Sequence, residues 1–276
     1  MKIINMRLLF LSSITALLFS VNSYAYKNTY AVVIGVADYK NMEVGTGDLT
    51  WTINDAYKVS QFLMSKEGGS VPKENIYVFL DEDANKADIL YYSKKLFAKA
   101  KPGDRVIFYF SGHGARGAFI PYDVDQSGNN VLYFTELKEV FRKANCETKL
   151  LIADACYSGS LRGGTGKSLT NNISKILNKT KKEAKNSKGK KQNIAVMLSC
   201  KDDQLSQEMG SLKQGVFTYT LIKGLEGRAD KNRNGKITIK ELFYHVYDKT
   251  IAYNPEQTPV LFGNFNLNLI VGRTYN

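Results

Sequence analysis

Short apolar runs alternate with segments of helical period along this chain, and that alternation limits the fold more than any other feature. Tyr30–Val36 (YAVVIGV), Asn75–Leu80, Asp104–Phe110, Lys149–Ala153 and Ile194–Leu198 read as strands. Between and after them, Thr52–Met64, Lys86–Ala98, Thr135–Phe141, Gly215–Lys223 and Ile239–Tyr247 carry apolar residues at helical spacing. Strands joined through helices are crossover units, so the expected class is α/β with a mainly parallel central sheet flanked by helices. The 276 residues, 43% of them hydrophobic, suffice for one large domain or two small ones. No internal repeat interrupts the pattern.

Two segments fall outside it. Lys2 and Arg7 precede an apolar run from Leu8 to Val21, and Ser23–Ala25 has small residues at both key positions of a cleavage site. This is the pattern of a signal peptide over residues 1–25, and the run is short for a membrane span. The expected mature protein, residues 26–276, is therefore exported, to a periplasm or to the exterior, with no stable membrane span. The second segment, 161–192, is rich in Gly, Ser, Asn and Lys and reads as an exposed, flexible insertion. Ser160–Asn193 holds 10 Lys or Arg against one Glu, which places +9 of the formal +12 in one stretch. A basic segment on an otherwise balanced domain argues against a nucleic-acid-binding face. Within it, Gly163–Ser168 (GGTGKS) lacks the first glycine of a phosphate loop, because Leu161 stands there, and no strand leads into it.

Strand ends are where parallel sheets carry chemistry. Phe108–Gly114 (FYFSGHG) runs from an apolar strand into a glycine-flanked histidine, His113. Leu150–Gly159 (LLIADACYSG) runs from a second strand into Cys156. A thiol nucleophile needs a base within hydrogen-bond reach to raise its thiolate fraction, and a histidine upstream of a cysteine supplies one. The chain has three cysteines, Cys146, Cys156 and Cys200, too few for a disulfide scaffold and not at zinc spacing. An odd thiol in an oxidising compartment needs a reason, and catalysis is one.

With SGHG, DACYSG and the block GVFTYTLIKGLEG at Gly215–Gly227, the chain resembles the caspase-like superfamily, and within it the metacaspases and related bacterial caspase-like peptidases. The likeness runs from about Tyr30 to about Tyr247. It implies a three-layer sandwich and a cysteine endopeptidase in which Cys156 attacks the scissile carbonyl, His113 moves the proton, and the Gly114 backbone N–H helps hold the oxyanion. The motif here is D-A-C, where caspases have Q-A-C. By resemblance Asp154, Asp55 in T-I-N-D-A and Ser111 line the specificity pocket. Two carboxylates in one pocket favour a peptide or protein substrate with Arg or Lys at P1. The resemblance also implies self-cleavage in the basic segment, between Arg162 and Lys191. The other reading is a catalytically silent caspase-like domain that binds or regulates. Oligomeric state has no signal in the sequence.

Asp230–Glu241 (DKNRNGKITIKE) fits a calcium-loop spacing. Asp230, Asn232, Asn234 and Glu241 would offer side-chain oxygens, Lys236 its carbonyl, and Thr238 a side-chain or water-mediated contact. An Asn- and Gly-rich turn opened by an aspartate is the alternative. No cofactor is required by the Cys–His chemistry. Calcium activation is common among metacaspases, and Asp123 and Asp125 are loose candidates for such a second site.

Overall fold

The computed structural model describes residues 26–42, 47–115, 117–125, 127–156, 193–201 and 204–275. The expected signal peptide at 1–25 and the basic insertion at 161–192 lie outside the described residues. The chain order is β1 (Thr29–Gly35), α1 (Thr52–Met64), β2 (Ile76–Leu80), α2 (Lys86–Phe97), β3 (Arg105–Ala115), β4 (Ala118–Phe119), β5 (Leu132–Tyr133), α3 (Phe134–Lys143), β6 (Thr148–Cys156) and β7 (Asn193–Leu198). Then come β8 (Glu208–Met209), β9 (Gln214–Gly215), α4 (Val216–Lys223), β10 (Lys236–Thr238), α5 (Ile239–Tyr253), β11 (Val260–Asn264) and β12 (Ile270–Arg273).

The main sheet runs β11-β7-β6-β3-β1-β2. All of its pairings are parallel except the edge pair β11–β7. Parallel strands joined by helices are covered on both faces, so period-two alternation sends successive apolar residues into two different cores. Val32, Ile34, Phe108 and Phe110 pack with Ile89 and Leu96 of α2 and with Leu137 and Val140 of α3. Ala31, Val33, Ile107 and Tyr109 pack on the other face with Ala56 of α1, Phe217 of α4 and Val246 of α5. This is the expected three-layer sandwich. No helix among the described residues is long and apolar enough to cross a membrane.

The five strands and five helices expected from the sequence are present, and two boundaries differ where it matters. The spans Asp104–Phe110 and Lys149–Ala153 stop too early. β3 continues through Ser111-Gly-His-Gly-Ala115 and β6 through Asp154-Ala-Cys156. Small and polar residues end an apolar pattern without ending a strand, because the two strands pair with each other up to the rung His113–Cys156. β3 is held further by a short antiparallel pairing with β4. The edge strand β11 and the short β4, β5, β8, β9, β10 and β12 have no periodic signal long enough to read.

Candidate active site

Three rungs of the β3–β6 ladder define the site: Ser111 beside Asp154, Gly112 beside Ala155, and His113 beside Cys156. Neighbouring strands lie about 4.8 Å apart, so register alone brings the His113 and Cys156 backbones side by side. These residues therefore stand on the C-terminal ends of two central strands, rather than in turns beyond them.

His113 is fixed from two sides. Its backbone N–H donates to the Tyr39 hydroxyl at 2.6 Å, and its half-buried ring tilts against the Tyr39 ring, centroids 5.0 Å apart. Its Nε2 lies 2.5 Å from the Gly47 carbonyl oxygen. A carbonyl only accepts, so this contact places the proton on Nε2 and leaves the lone pair on Nδ1. Gly112 is required by the same arrangement, since a Cβ there would lie 2.8 Å from the Tyr39 hydroxyl. On the β6 side, the Ser199 hydroxyl accepts from the Ala155 N–H at 3.1 Å and donates to the Ala155 carbonyl at 3.2 Å. That pair anchors the rung immediately before Cys156. Gly114 begins the β3–β4 hairpin, opposite Phe119. Tyr39, Gly47 and Ser199 carry no sequence signal of their own, because each acts through a hydroxyl or a backbone carbonyl brought in from a loop.

Below that rung sit two buried carboxylates. Asp55, 1% exposed in the first turn of α1, accepts from Ser111 Oγ at 2.9 Å and from the Gly215 N–H at 3.0 Å. Asp154, 5% exposed, accepts from the Thr218 N–H at 3.0 Å and from Thr218 Oγ1 at 2.8 Å, and also bonds Ser206 Oγ. Gly215 lies between them: a Cβ would meet Asp154 Oδ2 at 2.3 Å and Asp55 Oδ2 at 2.9 Å. Sequence reasoning named Asp55, Ser111 and Asp154, and the structure brings all three together. It missed Ser206, Gly215, Thr218 and Glu208. The Gly215–Gly227 block marked the region of Gly215 and Thr218 but not their roles. Glu208 accepts the Thr50 and Trp51 N–H groups at 2.8 and 2.6 Å, capping α1 where Trp51 offers no side-chain cap.

No cation balances this cluster: among the described residues neither Asp55 nor Asp154 forms an ion pair. Burial, and then the nearby Asp154 charge, push the Asp55 carboxyl well above its ordinary range. Burial also pushes Asp154 up, against the bonds from Ser206 and Thr218. The hydroxyl of Tyr109, buried below them and bonded to Thr218 Oγ1 at 2.6 Å, is pushed up by burial and by both acids.

The calcium-loop segment is arranged differently. Asp230 Oδ1 accepts the Asn234 N–H at 3.1 Å, and Oδ2 accepts the Gly235 N–H at 2.9 Å and Thr274 Oγ1 at 3.0 Å. Asn232 and Asn234 oxygens accept the N–H groups of Asn234 and Lys236. Glu241 Oε1 accepts from Asn232 Nδ2, and Glu241 Oε2 takes the Thr238 N–H at 2.9 Å, while Thr238 Oγ1 takes the Glu241 N–H at 3.2 Å. The last two bonds are a capping box at the start of α5. The oxygens that would hold an ion thus close a turn and cap a helix. Asp123 accepts the Lys86 N–H at the start of α2, and Asp125 closes a turn on Asn129. Among the described residues no group of three or more His, Cys, Asp or Glu is placed to hold a metal ion.

A family model described as the caspase domain matches residues 28–267. Metacaspase-1A of Aspergillus oryzae is 29% identical over 149 residues, which is 47% of this chain and 34% of that one. Metacaspase-1 of Cryptococcus neoformans var. neoformans is 24% identical over 299 residues, 84% of this chain and 64% of that one. The chain thus spans about a third of the first relative and under two thirds of the second. A crystal structure of a Geobacter sulfurreducens protein superposes with a TM-score of 0.57 at 18% identity, covering 87% of this chain and 94% of that one, and so shares the fold.

Proposed function

This chain belongs to the caspase domain family, and from that premise we propose that it is a cysteine endopeptidase cutting after arginine or lysine, with Cys156 as nucleophile and His113 as its base. The observation that carries the reading is the pair of buried carboxylates: Asp154, two residues along the ladder from the His113–Cys156 rung, and Asp55, bonded to Ser111 opposite it. A guanidinium or ammonium at P1 would supply the missing counter-charge. Arginine matches better, because its planar fork can donate to both acids.

In this mechanism His113 Nδ1 takes the Cys156 thiol proton. The Gly47 carbonyl holds Nε2–H and steadies the imidazolium that forms. The thiolate sulfur adds to the scissile carbonyl, and the oxyanion is received by the N–H groups of Gly114 and Cys156. Collapse breaks the C–N bond, and His113 returns its proton to the leaving amine. Water, deprotonated by His113, then hydrolyses the thioester and regenerates the thiol. No metal enters these steps.

Two parts of the proposal concern segments outside the described residues. Residues 1–25 direct export to a periplasm or the exterior, so the mature N-terminus is Tyr26. The basic stretch between Arg162 and Lys191 is the enzyme's own first substrate.

The test is hydrolysis of fluorogenic peptides with Arg, Lys or Asp at P1, with and without calcium, beside Cys156→Ala and His113→Ala. Arg and Lys peptides should be cut and the Asp peptide left intact, and each substitution should cost at least about a thousandfold in kcat/KM. Faster cleavage after Asp refutes the pocket assignment. Silence of the folded protein, with its basic stretch intact and cut, leaves a caspase-fold domain that binds without cutting.

A further inference from the structure

At the opposite end of the sheet, the helical layer on the α1 face does not close. The C-terminal end of α1 and the N-terminal end of α5 leave a cavity of about 250 Å³ over the first residues of the central strands. Its floor is apolar, formed by Ile107, Leu150, Ile152, Met197 and Leu242.

Two guanidinium groups line this apolar space. Arg105, 6% exposed, donates from Nη1 to the Val271 carbonyl at 2.8 Å and from Nη2 to Thr29 Oγ1 at 3.2 Å, and stacks on the Tyr26 ring at 4.6 Å. Neither acceptor is charged. Its chain neighbour Asp104 is engaged with Asn28 and Lys101. Arg273 lines the same cavity two residues beyond Val271 on β12. The Nε atoms of both arginines are buried without a hydrogen-bond partner. Glu67 is the one carboxylate among the described lining residues, and no ion pair joins it to either arginine. Burying a cation without a counter-charge is costly, and buried Arg105 and half-buried Arg273 both lack one beside an apolar void.

We propose that this cavity binds a small amphiphilic carboxylate, with its apolar body on the Ile107–Leu150–Met197 floor and its carboxylate between Arg105 and Arg273. The two uncompensated guanidinium charges and the apolar lining select the ligand together. An alcohol of equal length fills the space but leaves the guanidinium charge uncompensated. An amine of equal length adds repulsion. The site lies away from His113 and Cys156, so the inference stands whether or not the chain is a peptidase.

Octanoate serves as the probe. Its binding to the full chain is followed by thermal denaturation and by the Met197 methyl resonance, against octanol and octylamine at equal concentration. Octanoate should raise the melting temperature saturably, shift the Met197 signal, and bind at least tenfold more tightly than octanol. Arg105→Met and Arg273→Met replace each cation by an apolar side chain of similar length and should fold. Each should remove the preference for octanoate over octanol. Equal binding of octanol, a preference that survives in both variants, or no saturable binding at all would overturn the proposal.

Discussion

Asp55 and Asp154 work against folding at neutral pH. Both carboxyls are raised in the folded chain, first by burial and, for Asp55, next by the charge of Asp154. A carboxyl whose folded pKa exceeds its unfolded value of about 3.9 contributes stability that is fully present below that value. The contribution is lost as pH rises through the folded pKa. Asp55→Asn should therefore raise stability at pH 8 by about 1–2 kcal/mol while changing it little at pH 4, read from urea midpoints at both pH values. The same substitution should lower kcat/KM for an Arg peptide at least tenfold. A variant less stable than the parent at pH 8 would show that the hydrogen bonds to Ser111 and Gly215 outweigh the repulsion. Asp55, Ser111 and Asp154 were legible because each falls inside a recognisable short motif. Ser206 and Glu208 were not, since a hydroxyl and a carboxylate far along the chain acquire their roles only through long-range packing.

Helices and strands show where local pattern stops being informative. α1 and α2 were readable to within a residue, because helical period persists to their ends and Asn85 caps α2 through the Asp88 N–H. β3 and β6 were cut short, because Ser-Gly-His-Gly and Asp-Ala-Cys resemble turns, whereas pairing between the two strands keeps them extended. The Asp230–Glu241 segment shows the converse: the spacing of a calcium loop is also that of a turn leading into a capping box. Thr238→Ala should cost about 1 kcal/mol, equally with calcium and with a chelator, by chemical denaturation. A cost that appears only in calcium would support the ion-binding reading. Ser199→Ala removes the hydroxyl that anchors Ala155 and should cost about 1 kcal/mol while lowering kcat more than it changes KM. An unchanged kcat would make Ser199 purely structural.

At the scale of the whole molecule, acid should destabilise through a different buried group. His245 on α5 is 3% exposed, and its Nε2 is buried without a partner. Burial, then Lys249, Lys231 and Arg228, hold its pKa below the ordinary value, against a smaller opposing effect of Asp248. A histidine with a depressed folded pKa contributes stability that is present above its unfolded value of about 6.5 and lost as pH falls through the folded one. His245→Gln should flatten the decline in stability between pH 6.5 and 5, measured by urea midpoint, and an unaltered slope would exonerate it. The sandwich itself was legible from alternation, whereas its antiparallel edge was not, because β11 (VLFGN) offers only three apolar residues before a glycine. The distances along the chain carry one more consequence. Asp55 meets Gly215 across 160 residues, Asp154 meets Thr218 across 64, and His113 meets Cys156 across 43. Contacts so remote in sequence close slowly in folding. A chain only half collapsed has neither the proposed blade nor the proposed pocket, so its latency during synthesis is a property of its topology.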